Sequence, residues 1–246
     1  MNLILIRPEE LPSGGFSGRV VLHGRRAEHV RTVHRAAVGD ALQVGVLGGP
    51  VGRGVVAAID AAAVALDVSA DTASAPPAKL PLTLVLALPR PRVLKRCLAA
   101  AAALGVEHLV LLGAWRVEKS YWQSPVLAER ERYLGLGLEQ ARDTVLPAVT
   151  VRKRFKPFAE DELPALCDGR RALVAHPLSA ECPDALDAGA LPPERTRPTL
   201  LAIGPEGGWL PYEVDKLRAA GATAIHLGPR IQRVEVALAA LVGKLF

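Results

Sequence analysis

Leu200-Leu-Ala-Ile-Gly-Pro-Glu-Gly-Gly-Trp209 is the stretch from which the fold is read. An apolar run leads directly into Gly-Pro-Glu-Gly-Gly, and helical sequence resumes at Pro211. Glycines there permit positive φ and close backbone approach to a ligand, and the exposed N–H groups of such a loop can cradle a polar or anionic group. A tight strand-to-helix turn without a ligand accounts for the same residues equally well. The arrangement recurs in Ile225-His-Leu-Gly-Pro-Arg-Ile-Gln-Arg-Val-Glu-Val-Ala237, again a strand ending in Gly-Pro before a helix. Two such turns at the carboxyl ends of neighbouring strands form one crevice, where open α/β sheets bind ligands. Arg230, Arg233 and Glu235 stand at its edge, or form an ion pair at the start of a surface helix.

Working outward, residues 82–246 alternate strand and helix. Leu82–Leu88, His108–Leu112, Val149–Val151, Ala172–Ala175, Leu200–Ile203 and Ala224–Leu227 read as strands. Val93–Leu104, Pro125–Thr144, Pro211–Ala220 and Arg233–Phe246 read as helices, with Gly105 as a stop signal. Continuous apolar strands alternating with helices imply a largely parallel sheet covered on both faces. Residues 1–70 differ: Leu3–Ile6, Ala41–Val46, Gly54–Ile59 and Val64–Val68 are short β-prone runs between Gly-rich turns, with helical character over Arg26–Ala37. Residues 71–81, small and containing three prolines, read as an extended linker. The expected division is therefore a β-rich domain over 1–72 and an α/β domain over 78–246.

The 246 residues carry a formal charge of +5, with half of them hydrophobic. The basic surplus lies in the middle, where residues 79–160 hold fourteen Lys/Arg against seven Asp/Glu. Such a surplus suits a polyanionic partner or a solvated helix face. Cys97, Cys167 and Cys182 are odd in number and far apart, which disfavours a disulfide framework or a cysteine zinc site and fits a reducing cytoplasm. The apolar N-terminal run is too short for a signal peptide, and Cys97–Trp115 is broken by Gly105, Glu107 and His108, so neither secretion nor a membrane span is expected. No Gly-x-Gly-x-x-Gly, P-loop, Gly-x-Ser-x-Gly or His-Glu-x-x-His pattern is present. The six histidines are dispersed, and no metal site is expected.

Ile203-Gly-Pro-Glu-Gly-Gly208 followed by Leu227-Gly-Pro-Arg-Ile-x-Arg-Val-Glu235 resembles the RsmE-type methyltransferases of the SPOUT superfamily, which act on N3 of a uridine in small-subunit (16S) ribosomal RNA. Either Gly-Pro turn alone is a weak signal; the pair at this separation is specific. The resemblance runs along the chain. His29-Val-x-x-Val-His-Arg-x-x-Val-Gly-Asp40 is similar to the family's PUA-like N-terminal segment. Ala102-Ala-Leu-Gly-Val-Glu107, Glu139-Gln-Ala-Arg-Asp-Thr-Val-Leu-Pro147 and Ala175-His-Pro177 look like further family segments. Ala103, Gln232 and Val236 depart from the residues common there (Glu, an aliphatic residue and Thr).

The resemblance implies a C-terminal SPOUT α/β domain with a deep trefoil knot, preceded by a small PUA-like β-barrel. It implies S-adenosylmethionine as cofactor, held by three loops through His176, Pro177, Ile203, Gly204, Pro205, Glu206, Gly207, Gly208, Leu227, Gly228, Ile231 and Arg233. It also implies a cytoplasmic homodimer, with the last helix at the interface. Uracil N3 is a poor nucleophile until its proton leaves, so a cation beside O2 or O4 would favour the anion. Arg142, Arg230 and Arg233 are candidates for that cation, and Glu206 and Glu235 for the base or for orienting the arginines. Arg25, Arg26, Arg31 and Arg35, with Arg152, Lys153, Arg154, Lys156 and Arg230, are candidate RNA contacts, and Tyr121 and Trp122 could stack on a base or form a half-buried pair. The competing readings are a SPOUT methyltransferase for another RNA nucleotide and a non-catalytic RNA-binding assembly protein.

Overall fold

The computed structural model describes residues 2–12, 16–178 and 182–246. The chain forms two compact units, Met1–Ala78 with Gly135–Leu146, and Lys79–Leu134 with Pro147–Phe246. In the first, β1 (Ile4–Ile6), β2 (Gly18–His23), β3 (Ala41–Val46), β4 (Val51–Ile59) and β5 (Ala63–Val68) make one sheet in the order β1-β3-β4-β5-β2, antiparallel except for β1 on β3. Period-2 alternation sends Val64, Leu66 and Val68 inward and leaves Asp67 outside, where it pairs with Arg19 of β2 at 2.7 Å. Strand β2 was not anticipated, although Val20 and Leu22 alternate inward as a half-buried strand requires.

The helix expected over 26–37 is shorter. It comprises α1 (Gly24–His29) and a π-helical turn, Val30–His34, and stops where Arg35 turns left-handed at φ 52. The expected linker is partly ordered, because Ser74 and Val51 exchange backbone hydrogen bonds of 2.8 and 2.9 Å. The segment 135–146 joins this unit through its backbone: the Glu139 carbonyl accepts from the N–H groups of Asn2 and Leu3, and the Thr144 carbonyl from that of Gly48.

The second unit holds β6 (Leu80–Ala87), α2 (Pro91–Ala103), β7 (Val106–Leu112), α3 (Pro125–Ala128), α4 (Arg130–Ala141, its later turns counted with the first unit), β8 (Ala148–Arg152), α5 (Phe155–Pro157), α6 (Leu163–Cys167), β9 (Arg171–Ala175), β10 (Leu186–Asp187), β11 (Thr199–Ile203), α7 (Pro211–Ala219), β12 (Thr223–His226) and α8 (Val234–Leu245). Seven parallel strands form a sheet in the order β10-β12-β9-β11-β6-β7-β8. Strands β6 and β11 are buried almost throughout, as continuous apolar strands covered on both faces must be. Trp209, Phe158, Leu163, Val214 and Leu217 pack on one face, over Val85, Ala87, Val110, Leu200 and Ala202.

The single helix expected over 125–144 is broken. Residue Glu129 leaves helical geometry between α3 and α4, and Arg142 at φ 58 follows the end of α4. The helical turns of 155–167 were not anticipated, because Pro157, Pro164 and the charges at 160–162 obscure the apolar spacing of Phe155, Phe158, Leu163 and Cys167. At the foot of the sheet Arg171, 8% exposed, donates to the carbonyls of Pro192 (3.2 Å) and Leu245 (3.1 Å) and to Thr199 Oγ1 (3.3 Å). It thereby ties the starts of β9 and β11 to the end of α8.

Candidate cofactor pocket

Strands β12, β9 and β11 are adjacent and parallel, so their carboxyl ends bring three loops to one edge of the sheet. These loops are 176–178, 204–210 and 227–233. His176 N–H donates to the Ile225 carbonyl at 2.9 Å, joining the first loop to β12. The second loop turns tightly, with Gly208 at φ 74 and its N–H on the Pro205 carbonyl at 2.8 Å. In the third, Gly228 at φ 82 donates its N–H to His226 Nδ1 at 3.0 Å. A side chain is strained at both positive-φ positions.

A pocket opens among these loops. Its apolar wall comes from Ile203, Ile225 and Leu227, with Val234, Ala237 and Leu241 of α8 as floor. The polar groups on it are few. His176 is 8% exposed, and its Nδ1 lies 2.8 Å from the Pro177 carbonyl, so that nitrogen carries the proton. His226 has the opposite arrangement, because its Nδ1 accepts from Gly228. Neutral His226 therefore holds its proton on Nε2, whereas neutral His176 offers a lone pair there.

Glu206 reaches from the rim to Arg90, the residue that precedes α2. Its carboxylate accepts the Arg90 backbone N–H at 3.1 Å and pairs with Arg90 Nε at 3.2 Å. Nearby, the Tyr121 hydroxyl donates to Glu118 at 2.9 Å. Burial pushes the Tyr121 pKa up, the Glu118 hydrogen bond and the charges of Glu118 and Glu206 add to this, and Arg90 opposes it. Glu235 is held below the ordinary carboxylate range by its own backbone N–H and by Arg96, which it meets at 2.9 Å, with burial opposing.

Of the residues singled out in the sequence, His176, Pro177, Ile203, Gly204, Pro205, Glu206, Gly208, Leu227, Gly228, Arg230 and Ile231 line this pocket. Gly207 does not; its carbonyl accepts from the Arg116 guanidinium. Arg233 is also outside the lining, exposed at the N-cap of α8, and makes no ion pair among the described residues. The alternative of an Arg233–Glu235 ion pair is not realised, since Glu235 pairs with Arg96. Arg142 is exposed and counted with the other compact unit.

The candidate RNA contacts differ from one another. Arg25 pairs with buried Glu139 at 2.7 Å; Arg26 is bound to Glu10 and to the Leu5 carbonyl; Arg152 pairs with Glu162 at 2.7 Å. Arg31 donates to the Asp60 carbonyl at 3.0 Å, while Arg35, Lys153, Arg154 and Lys156 are exposed. Tyr121 and Trp122 are half-buried. Sequence reasoning missed Arg90, His226 and the α8 face Val234/Ala237/Leu241. The face had a signal in its 3–4 spacing, but the apolar helix was assigned to a subunit interface. Among the described residues no cluster of acidic, histidine or cysteine side chains suits a metal, and no helix is long and apolar enough to cross a membrane.

Residues 76–245 match the model of the RNA methyltransferase domain family. The ribosomal RNA small subunit methyltransferase E of Treponema pallidum is 31% identical over 246 residues, covering 98% of this chain and 88% of that one. The enzyme of the same name from Mycobacterium bovis is 27% identical, over 99% of this chain and 91% of that one. The fold is similar to the crystal structure of the Neisseria gonorrhoeae methyltransferase E bound to S-adenosyl methionine, with a TM-score of 0.73, 18% identity, and coverage of 99% and 95%. A methyltransferase from Legionella pneumophila, also in complex with that cofactor, gives a TM-score of 0.71 at 19% identity, with coverage of 100% and 96%.

Proposed function

Since the chain belongs to the RNA methyltransferase domain family, with methyltransferase E enzymes among its relatives, we propose that it methylates N3 of a uridine in 16S ribosomal RNA using S-adenosylmethionine. The observation that carries this reading is the pocket at the carboxyl ends of β12, β9 and β11. It is built from two Gly-Pro turns and walled by aliphatic side chains with few polar groups. That chemistry fits the cofactor: Ile203, Leu227 and Leu241 offer apolar surface for a flat purine, and Gly204, Gly208 and Gly228 let backbone approach it closely. When bound, the cofactor supplies a methyl group on a sulfonium, already activated toward a nucleophile.

The chain's own residues have the remaining work. The uracil N3 proton must leave as the N–CH3 bond forms, and Glu206 at the pocket rim is the proposed acceptor, steadied by Arg90. Arg233, unpaired by any carboxylate of the described residues, and Arg230 are the proposed cations for the charge on the uracil oxygens. Arg142 is proposed for the same role only if a second subunit supplies it. The homodimer, the trefoil knot around β11–α8, the PUA-like barrel over 1–72, the methyltransferase domain over 78–246 and a cytoplasmic location all belong to this proposal. The structural relatives support the fold it requires.

Calorimetric titration with S-adenosylmethionine, followed by nucleoside mass spectrometry of 16S RNA incubated with enzyme and cofactor, tests the reading. Saturable binding and new 3-methyluridine are expected. A folded protein that binds no cofactor, or methylates another atom, would overturn it.

A further inference from the structure

A second depression lies in the same unit, outside the pocket just described. It is lined by Trp115, Lys153, Phe155, Lys156 and Tyr212, among others. Trp115 is 80% exposed and Tyr212 48% exposed, values far from those of aromatics serving a core. We propose that this depression is a stacking subsite for an unpaired base of single-stranded RNA, with Lys153 and Lys156 on the flanking phosphates. It deepens the proposed RNA methyltransferase reading and rests on it for the identity of the polymer.

The parts are held in place by backbone bonds rather than left to loop motion. Glu213, 2% exposed, accepts the Trp115 N–H at 2.8 Å with one carboxylate oxygen and the Leu210 N–H at 2.9 Å with the other. One buried carboxylate thus joins the loop bearing Trp115 to the start of α7, which bears Tyr212. On the opposite side the Gly113 N–H donates to the Arg152 carbonyl at 2.7 Å. A Cβ at Gly113 would lie 2.1 Å from the Lys153 carbonyl oxygen, so the lysine-bearing strand end is packed directly on glycine backbone.

Charge points the same way. Lys153, Arg154 and Lys156 are exposed and make no ion pair among the described residues, whereas the carboxylate lining the depression is buried and committed to two N–H donors. Lys216 stands 5.8 Å from the Tyr212 ring centroid but is already paired with Glu160 at 2.7 Å, so the phosphate contacts fall to Lys153 and Lys156. Exposed aromatic faces beside two exposed lysines, Lys153 and Lys156, that make no ion pair among the described residues suit a base and its phosphates. An apolar protein partner would gain nothing from the lysines.

The test uses the full chain and a single-stranded oligouridylate of about ten nucleotides, within the usual site size of such grooves. Binding is read by quenching of tryptophan fluorescence and by anisotropy of a labelled strand. Trp115→Ala and Tyr212→Ala should each weaken binding between about fivefold and a hundredfold, with Trp115→Phe recovering most of the loss. Their salt slopes should stay unchanged. Lys153→Ala/Lys156→Ala should instead flatten the slope of log affinity against log salt by about 1.4, at roughly 0.7 per phosphate contact. Cofactor affinity of every variant should equal that of the parent, which also shows that each is folded. Aromatic variants that bind within twofold of the parent, or a parent that binds duplex better than single strand, would sink the proposal. If those outcomes occur while the parent still methylates 16S RNA, the subsite alone falls; if the parent binds no cofactor, the enzymatic reading falls instead.

Discussion

Replacing Arg233 by alanine separates chemistry from stability more cleanly than any other change at the site. Arg233 is exposed, caps the N-terminus of the twelve-residue helix α8, and makes no ion pair among the described residues. A cation there opposes the helix dipole, at a cost of roughly 0.3–1 kcal/mol, and removing it gives that back. The opposing loss is its distant attraction to Glu235, a carboxylate already paired with Arg96 at 2.9 Å and worth no more than about 0.5 kcal/mol from this source. The two nearly cancel, so the unfolding free energy measured in urea should change by less than about 0.5 kcal/mol. Turnover should fall by on the order of 10²–10³, or roughly 2.7–4 kcal/mol of transition-state stabilisation, because the charge it offsets develops only as uracil loses its proton. Arg233→Lys should recover part of the loss, lacking the planar fork. Raising the pH should partly rescue the alanine variant by supplying more uracil anion. Steady-state methylation at two pH values beside urea unfolding measures both quantities. Near-parental turnover, or a stability loss above about 1 kcal/mol that accounts for the activity, would refute the reasoning.

Gly228→Ala forces a side chain onto a backbone at φ 82 and should cost about 1–2 kcal/mol locally while lowering cofactor affinity at least tenfold. Gly207→Ala, beside Arg116 and outside the pocket lining, should change that affinity less, and calorimetry giving the reverse order would show the pocket is misassigned. Arg171→Ala removes three hydrogen bonds, although the Leu245 carbonyl keeps the Glu194 N–H and the Thr199 hydroxyl keeps the Arg197 carbonyl, and should lower stability by about 2 kcal/mol in urea. A loss under about 1 kcal/mol would mean that the clamp is ornamental. The Glu10 carboxyl is held below its ordinary 4.5, chiefly by its hydrogen bond from Arg26 against the cost of burial. Its contribution is therefore complete above 4.5 and disappears as pH falls through the lower folded value. Glu10→Gln should be less stable than the parent at neutral pH, with the difference closing in acid; a constant difference would exclude the linkage.

Most of the second unit's sheet was legible because strands such as β6 and β11 are apolar on both faces, whereas the exposed two-residue β10 was not anticipated. Leu82–Leu88 and Leu200–Ile203 locate β6 and β11 within two residues. The Gly-Pro turns were legible because positive φ at Gly208 and Gly228 leaves few alternatives to glycine. What sequence could not give was pairing across distance. Nothing local to Arg25, Arg26 or Arg152 tells that each is held by a carboxylate, at Glu139, Glu10 and Glu162 respectively, so all three read as free cations. Nothing local to Glu139 tells that residues 135–146 complete the first unit. Trp115 was overlooked because an aromatic after an apolar strand reads as core, and only the fold exposes it.

The position of β11 has a consequence for the order in which the molecule is made. Residues 199–203 lie between β6 and β9, strands that begin at Leu80 and Arg171 and leave the ribosome well before them. Until that segment is available the earlier strands cannot close on one another without occupying its slot. The nascent sheet must keep a vacancy, with two long apolar strand edges waiting for a late arrival. Contacts of such wide sequence separation slow folding, and edges held open in the meantime invite pairing with other chains. Chains arrested short of residue 199 should be aggregation-prone far beyond what their lost surface would suggest. A brief supply of chaperone during translation should then raise the yield of this protein more than its final stability would lead one to expect.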